Sequence, residues 1–114
     1  MKCFFCLLAF LSLGIHNVFA GDFFGKYEKN FNSSVEFISE ANHLAIFRLH
    51  IPNCHIEGAA QWMDAFHARF TNGDCFLVFQ FTADFQSVKI ASKSCVKTCG
   101  AELSKILDGQ YSKK

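Results

Sequence analysis

Hydrophobic and polar residues alternate along parts of the chain, and this pattern predicts three β-strands. In residues 44–51 every second side chain is apolar, so one face is hydrophobic and the other carries Arg48 and His50. Pro52 ends this strand, because proline has no backbone N–H for a ladder. Residues 75–82 are apolar on nearly both faces. Residues 86–92 follow after a short connection, which predicts a hairpin.

Apolar residues at steps of three and four are typical of amphipathic helices. This spacing predicts three helices, over residues 22–42, 56–70 and 95–108. The first helix is ambiguous in its second half, because Val35-Glu36-Phe37 is also compatible with the start of a strand. Residues 33–43 are therefore open between helix and strand. The tail, residues 110–114, is predicted to be loose.

The predicted order of elements is helix, strand, helix, strand, strand, helix. Strands and helices of this number and length favour an α+β fold, in which one small sheet carries helices packed on it. We expect a three-stranded sheet built from residues 44–51, 75–82 and 86–92, with three helices packed against it. No repeat or linker divides the chain, which predicts one domain.

The N-terminus has the three regions of a secretory signal peptide in order. Lys2 supplies the charge, residues 3–15 form an apolar run, and the small residues Val18 and Ala20 precede a predicted cleavage point. The apolar run is shorter than the ~20 residues that a membrane span requires. The sequence thus predicts a signal peptide over residues 1–20 and a secreted, extracellular domain over residues 21–114 with no transmembrane segment.

The cysteines of a secreted domain are expected to form structural disulfides. The predicted domain retains four of the six, and an even number in an oxidising compartment predicts two disulfides with three connectivities. The predicted hairpin brings Cys75 beside Cys95. We therefore expect a Cys75–Cys95 bond, which leaves Cys54 to pair with Cys99. This pairing requires the middle predicted helix to lie across the sheet.

Charge and motifs indicate no catalytic chemistry. The 11 basic and 10 acidic residues are scattered, which excludes the basic footprint of a nucleic-acid-binding protein. His50 with Cys54-His55 invites interpretation as a metal corner or a nucleophile–base pair. However, no HExxH, GxSxG or CxxC motif supports it, and surface histidines are the simpler interpretation. The sequence predicts no catalytic, cofactor or metal site.

Two features point to the surface of a secreted binding protein. Several aromatic residues fall off the main apolar stripes and are candidates for an exposed contact surface, with Trp62 at the edge of the middle predicted helix: Trp62, Phe23, Phe37 and Phe85. Asn32-Ser33-Ser34 is a glycosylation sequon, which predicts a glycoprotein, although Asn32 is less accessible if the first predicted helix continues through residue 32.

The function predicted from the sequence is a small secreted, non-catalytic module that binds an extracellular protein through an exposed aromatic surface. One alternative is a carrier of a small apolar ligand or lipid, which requires an internal cavity of about 300 Å³ or more. A small secreted hydrolase is a second alternative, and the missing catalytic motifs count against it.

Overall fold

A computed structural model describes residues 23–100 and 105–114, so the predicted signal peptide lies outside the described residues. Eight antiparallel strands follow one another in chain order, and the last pairs with the first to close a barrel. The strands are β1 (Gly25–Asn30), β2 (Ser33–Ala41), β3 (Leu44–Ile51), β4 (Cys54–Trp62), β5 (His67–Asn72), β6 (Cys75–Phe81), β7 (Ser87–Lys93) and β8 (Gly109–Lys113). A short helix, α1 (Val96–Cys99), lies between β7 and β8, and residues 105–107 are also helical. No helix in these ranges is long and apolar enough to cross a membrane.

The barrel interior is filled by aromatic and aliphatic side chains. An eight-stranded barrel is just wide enough for inward-facing side chains to fill it. At its centre the Phe47 ring lies 4.9 Å from the Phe79 ring, and the Phe37 ring lies 5.3 Å from Phe79. Buried residues alternate with more exposed ones along β3 and β6, as the pleat requires. The apolar residues therefore form one continuous core.

The predicted α+β fold is wrong, because the chain forms an all-β closed barrel with only short helical segments. The three predicted strands do exist, as β3, β6 and β7. They do not form a sheet of their own, since β3 pairs with β2 and β4 while β6 pairs with β5 and β7.

The first predicted helix, residues 22–42, is instead the hairpin of β1 and β2. Ser33, Val35 and Phe37 are buried while the residues between them are partly exposed, which is the two-residue period of a strand. The Asn32 N–H donates to Asn30 Oδ1 across the turn. The alternative of a strand beginning near Val35 is thus the correct one for this segment.

The second predicted helix, residues 56–70, is instead β4, a short loop and β5. Ile56 and Ala60 are four residues apart, a spacing that fits a helix face and one face of a strand equally well. Gly58 lies between them with the Phe70 ring directly above it. A Cβ at Gly58 would lie 2.4 Å from Phe70 Cε1, so glycine at this position leaves room for the Phe70 ring.

The third predicted helix, residues 95–108, is helical in only two short described pieces, and residues 101–104 lie outside the described part. The tail that we expected to be loose is β8, which pairs with β7 and β1. Tyr111 is fully buried and its hydroxyl donates to Leu107 O at 2.8 Å. One buried tyrosine thus anchors a strand that otherwise has little hydrophobic character.

The two predicted disulfides, Cys54–Cys99 and Cys75–Cys95, are confirmed. Their positions compensate for an irregularity in the barrel. Within the described barrel, β4 and β5 pair at only two positions, Gln61↔Arg69 and Trp62↔Ala68. At the opposite end of these strands, the disulfides attach α1 to both β4 and β6. The expected helix across the sheet is therefore unnecessary, since α1 spans this gap.

Candidate functional site

The two ends of the barrel differ in how they are closed. We call the aromatic end the one formed by the start of β1, the end of β8 and the turns β2–β3, β4–β5 and β6–β7. The disulfide end contains the turns β1–β2, β3–β4 and β5–β6 and helix α1. The aromatic end carries a cluster of aromatic rings, and the disulfide end carries a pair of histidines.

The aromatic end is closed by rings in mutual contact. The Phe23 ring lies 5.1 Å from the Trp62 ring in an edge-to-face arrangement and 4.3 Å from the Phe24 ring. Phe81 lies 5.6 Å from Trp62 and 5.5 Å from Phe85. Such separations are favourable for aromatic pairs and each contributes about 0.5–1.5 kcal/mol beyond burial. Ring packing thus contributes to the closure of this end.

An aspartate shapes the β4–β5 loop beneath this cluster. Asp64 Oδ1 accepts the backbone N–H groups of Phe66 and His67 at 2.9 and 2.8 Å, and lies 2.8 Å from His67 Nδ1. The Phe66 N–H, followed by the His67 ring, holds the pKa of Asp64 below its ordinary value. The loop is therefore held by the ionised carboxylate, and it presents Met63 to solvent.

A second aspartate shapes the β6–β7 turn. Asp84 Oδ1 accepts the Thr82 hydroxyl at 2.7 Å and the Gln86 N–H at 3.1 Å, and the Thr82 contact is the main cause of the lowered pKa of Asp84. Phe85 has a φ of 56°, a left-handed conformation that costs an aromatic residue of the order of 1–3 kcal/mol. This turn directs the Phe85 ring into the barrel end.

Tyr27 connects the turn to the chain start. Its hydroxyl lies inside the barrel, 2.9 Å from Phe23 O and 3.2 Å from Phe85 O. Because both carbonyls are buried acceptors at the aromatic end, one hydroxyl group fixes the positions of the two segments that carry Phe23 and Phe85.

Exposed apolar side chains surround the buried rings at this end. Phe24 directly precedes Gly25, Ile38 directly follows Phe37, the strand partner of Gly25, and both side chains are exposed. Met63 is 55% exposed on the β4–β5 loop, next to the partly exposed Trp62. These four residues form the rim of the aromatic end. Apolar groups collected at one place on a small domain are typical of contact surfaces.

Of the four aromatic residues that the sequence predicted to form an exposed surface, only Trp62 is partly exposed. Phe23, Phe37 and Phe85 are at most 2% exposed, so they belong to the core and not to an exposed surface. In the barrel their side chains are buried in the interior, which the predicted helices did not indicate. Trp62 is partly exposed at the end of β4, and its Nε1 is buried with no hydrogen-bond partner in the described ranges.

The disulfide end carries two features near its turns. Asn32 is exposed in the tight β1–β2 turn beside Phe31, which is 92% exposed. The sequon therefore lies on an accessible turn, and glycosylation stays a prediction. On the β3–β4 hairpin, His50 and His55 are cross-strand partners, with His50 Nδ1 and His55 Nε2 2.7 Å apart.

Of the four rim residues, sequence reasoning identified only Trp62. It interpreted the histidines as surface residues and did not predict that His50 and His55 form a pair. A two-residue Pro52-Asn53 turn would have put residues 50 and 55 opposite each other, but the helix predicted from residue 56 concealed the hairpin. His43 and His67, the other two described histidines, lie at the aromatic end.

Surface depressions lie on two parts of the described barrel. One of about 220 Å³ lies over the outer faces of β6, β7 and β8, and one of about 400 Å³ lies beside α1 and is lined by Asp74, Ser94, Val96 and Lys97. Neither is enclosed by the phenylalanine core, although Phe81 borders the first. They give no support to a carrier function of the kind that an internal cavity would indicate.

Comparison of the chain with protein-family models, with characterised proteins and with solved structures finds no match. The fold and the geometry at the two barrel ends are therefore the basis for a functional proposal.

Proposed function

We propose that this protein is a small extracellular binding module that contacts a protein partner through the rim of the aromatic end. The observation that carries the proposal is the grouping of Phe24, Ile38, Trp62 and Met63 around one end of the barrel. Hydrophobic residues on a folded surface cost solvation free energy, and their concentration in one patch is a signature of a surface that another molecule covers.

The architecture beneath the rim supports this proposal. Interfaces gain affinity when their contact residues are held in position before binding. Here the rim sits on packed rings and on two turns, each ordered by an aspartate side chain. Trp62 and Met63 supply large, polarisable contact area, and aromatic residues and methionine are enriched at interface centres.

The features of the disulfide end also favour a partner that binds at the rim. Asn32 lies in a turn at that end, so a glycan attached there would project away from the rim. The disulfides also attach α1 to β4 and β6 there, and leave the aromatic end with no covalent closure among the described residues. A partner on the rim would thus meet neither the predicted glycan nor the crosslinks.

A charged substitution on the rim tests the proposal. Met63 and Val96 are 55% and 54% exposed and lie at opposite ends, so Met63→Asp and Val96→Asp form a matched pair. We expect the secreted wild type and the Val96→Asp variant to form the same crosslinked complex in the fluid into which the protein is secreted. We expect Met63→Asp to lose it, because a buried unpaired carboxylate costs several kcal/mol at an interface.

Crosslinked peptides identified by mass spectrometry provide the readout. Crosslinks from segments 24–38 and 62–66 of the wild type support the rim as the contact surface. Equal complex formation by all three proteins, a selective loss with Val96→Asp, or the absence of any complex contradicts the proposal. Thermal unfolding of each variant confirms that the fold is intact.

A further inference from the structure

We propose that His50 and His55 form a two-histidine binding site for a divalent transition metal ion, with Cu²⁺ the preferred ion. The site lies on the outer face of the β3–β4 hairpin at the disulfide end, far along the barrel from the rim. It is independent of the proposed binding function, because the two use different residues and different ends of the molecule.

The first observation is the distance between the ring nitrogens. His50 Nδ1 and His55 Nε2 are 2.7 Å apart, and the ring centroids are 4.3 Å apart at an interplanar angle of 67°. For metal–nitrogen bonds of about 2.0 Å, two nitrogens lie about 2.8 Å apart at a right angle and about 3.3 Å apart at a tetrahedral angle. Without a metal this contact is a hydrogen bond, in which one imidazole donates its proton to the other. When that proton moves to the other nitrogen of its own ring, both facing nitrogens have free lone pairs at the spacing of two adjacent ligands in a tetragonal site, the geometry of Cu²⁺ and Ni²⁺.

The second observation is that the backbone holds both histidines in this arrangement. They are direct cross-strand partners, and the next pair along the ladder is Ile51↔Cys54. Cys54 is bonded to Cys99, so the residue beside His55 is fixed to α1. A chelate whose ligands are already placed loses little conformational entropy when the ion binds.

The charges around the histidines favour a cation. Arg48 is the nearest basic residue on this face of β3, and it lies between Glu36 and Glu57, at 3.8 and 3.4 Å. These two carboxylates exceed the one guanidinium charge, so the patch carries a net negative charge. Ser34, the strand partner of His50 on β2, completes this exposed face.

The two histidines leave the ion's other positions open. Among the described residues no group of three or more histidine, cysteine, aspartate or glutamate side chains is arranged to hold a metal. Water or a group from another molecule would fill the remaining positions. Neutral imidazoles without a thiolate suit Cu²⁺, Ni²⁺ and Zn²⁺, and affinity across these ions peaks at Cu²⁺.

Titration of the secreted protein with Cu²⁺ tests the site. We expect one ion to bind in the presence of glycine as a competing chelator, which suppresses weak single-ligand sites. His50→Gln and His55→Gln should each weaken binding by about 100-fold, because the second imidazole binds intramolecularly. His67→Gln is the matched control, since this partly exposed histidine lies beside Asp64 at the other end.

The expected electron paramagnetic resonance spectrum of the copper complex shows two imidazole nitrogens in wild type and in His67→Gln. It should show one or none in each pair variant. Unchanged affinity in the double variant His50→Gln/His55→Gln, an equal loss in His67→Gln, or Zn²⁺ binding more tightly than Cu²⁺ would overturn the proposal. Equal melting temperatures of the metal-free proteins exclude misfolding as the cause of a loss.

Discussion

The two ends of this barrel reach closure by different means. At the disulfide end, two covalent bonds attach α1 to β4 and β6, where β4 and β5 no longer pair. At the aromatic end, the closure consists of ring contacts, one tyrosine hydroxyl and two turns ordered by aspartates. The covalent end tolerates a gap in the sheet, whereas the non-covalent end must be well packed everywhere.

This difference bears on function. A covalently closed end can display polar side chains such as His50 and His55 without losing order. Phe31 and Val96 are exposed at the disulfide end, but the aromatic end groups the four rim residues above its packed rings. Under the proposed function, a partner covers these residues. Local strain at Phe85 and the unpartnered indole N–H of Trp62 both lie at this end.

The largest expected effect comes from removing a disulfide. Cys54→Ala/Cys99→Ala opens a loop with a sequence separation of 45, and Cys75→Ala/Cys95→Ala one of 20. The chain-entropy relation gives losses of about 4 and about 3 kcal/mol, respectively. Chemical denaturation followed by circular dichroism measures both. If the Cys75→Ala/Cys95→Ala variant loses more stability than the Cys54→Ala/Cys99→Ala variant, loop length does not determine the order of the two losses.

Substitutions of the two buried tyrosines compare the stability of the two ends without removing a disulfide. Tyr27→Phe leaves Phe23 O and Phe85 O without this donor at the aromatic end, whereas Tyr111→Phe removes one bond to Leu107 O. We expect losses of about 2 and about 1 kcal/mol. Equal losses would mean that the second carbonyl near Tyr27 contributes nothing.

The burial of Tyr111 also predicts that the folded protein loses stability at alkaline pH. Burial raises the pKa of Tyr111 to about 12, above the ordinary value of 10.0. Between these values the unfolded chain releases a proton that the folded chain retains, so stability falls as the pH rises from 10 to 12. Denaturation midpoints at about pH 9 and about pH 11 should differ less in Tyr111→Phe than in wild type. An unchanged pH dependence in the variant contradicts this.

A smaller effect is expected for Trp62→Phe. The substitution keeps an aromatic ring against Phe23 and Phe81 and removes a buried N–H that has no partner in the described ranges. An unsatisfied buried donor costs about 1–3 kcal/mol, which offsets the lost ring area, so stability should change by less than about 1 kcal/mol. A loss above about 2 kcal/mol in chemical denaturation would show that the indole N–H has a stabilising partner.

The sequence predicted those parts of the fold where one periodicity dominates. In β3 the two-residue alternation is unbroken from Leu44 to Ile51, and the β6–β7 hairpin register correctly brought Cys75 beside Cys95. In β4, Ile56 and Ala60 satisfy both the helical and the strand period, so pattern alone cannot decide. The ladder that β4 forms with β3, from Leu44↔Gln61 to Ile51↔Cys54, shows that the segment is a strand, and the pattern within the segment does not reveal this pairing.

The same limit applied to the candidate sites. Phe23 and Phe85 are off any helical stripe, and only barrel closure shows that they point inward. The His50–His55 pair depends on a turn at Pro52-Asn53, which the hydrophobic pattern marks as the end of one strand and not as the centre of a hairpin. Short strands and tight turns carry weak local signals, so long-range pairing determined both outcomes.

The smallest expected effect is a difference in how the two ends respond to acid. The pKa values of Asp64 and Asp84 are lowered mainly by the Phe66 N–H and the Thr82 hydroxyl, respectively. A lowered pKa means that the ionised form stabilises the fold. The contribution is therefore present above the ordinary value of 3.8 and is lost as the pH falls through the lowered pKa.

Both aspartates belong to turns of the aromatic end, so acid should loosen that end first. We expect hydrogen exchange at the Phe66 and Gln86 amides to increase between about pH 5 and about pH 2, relative to the intrinsic rates, before any increase along the Ile51–Cys54 ladder beside the disulfide. In Asp64→Asn/Asp84→Asn the two amides should already exchange faster at about pH 5 and change little on acidification. Simultaneous loss of protection at both ends would contradict the distinction, because it would mean that the barrel opens as one cooperative unit despite its two kinds of closure.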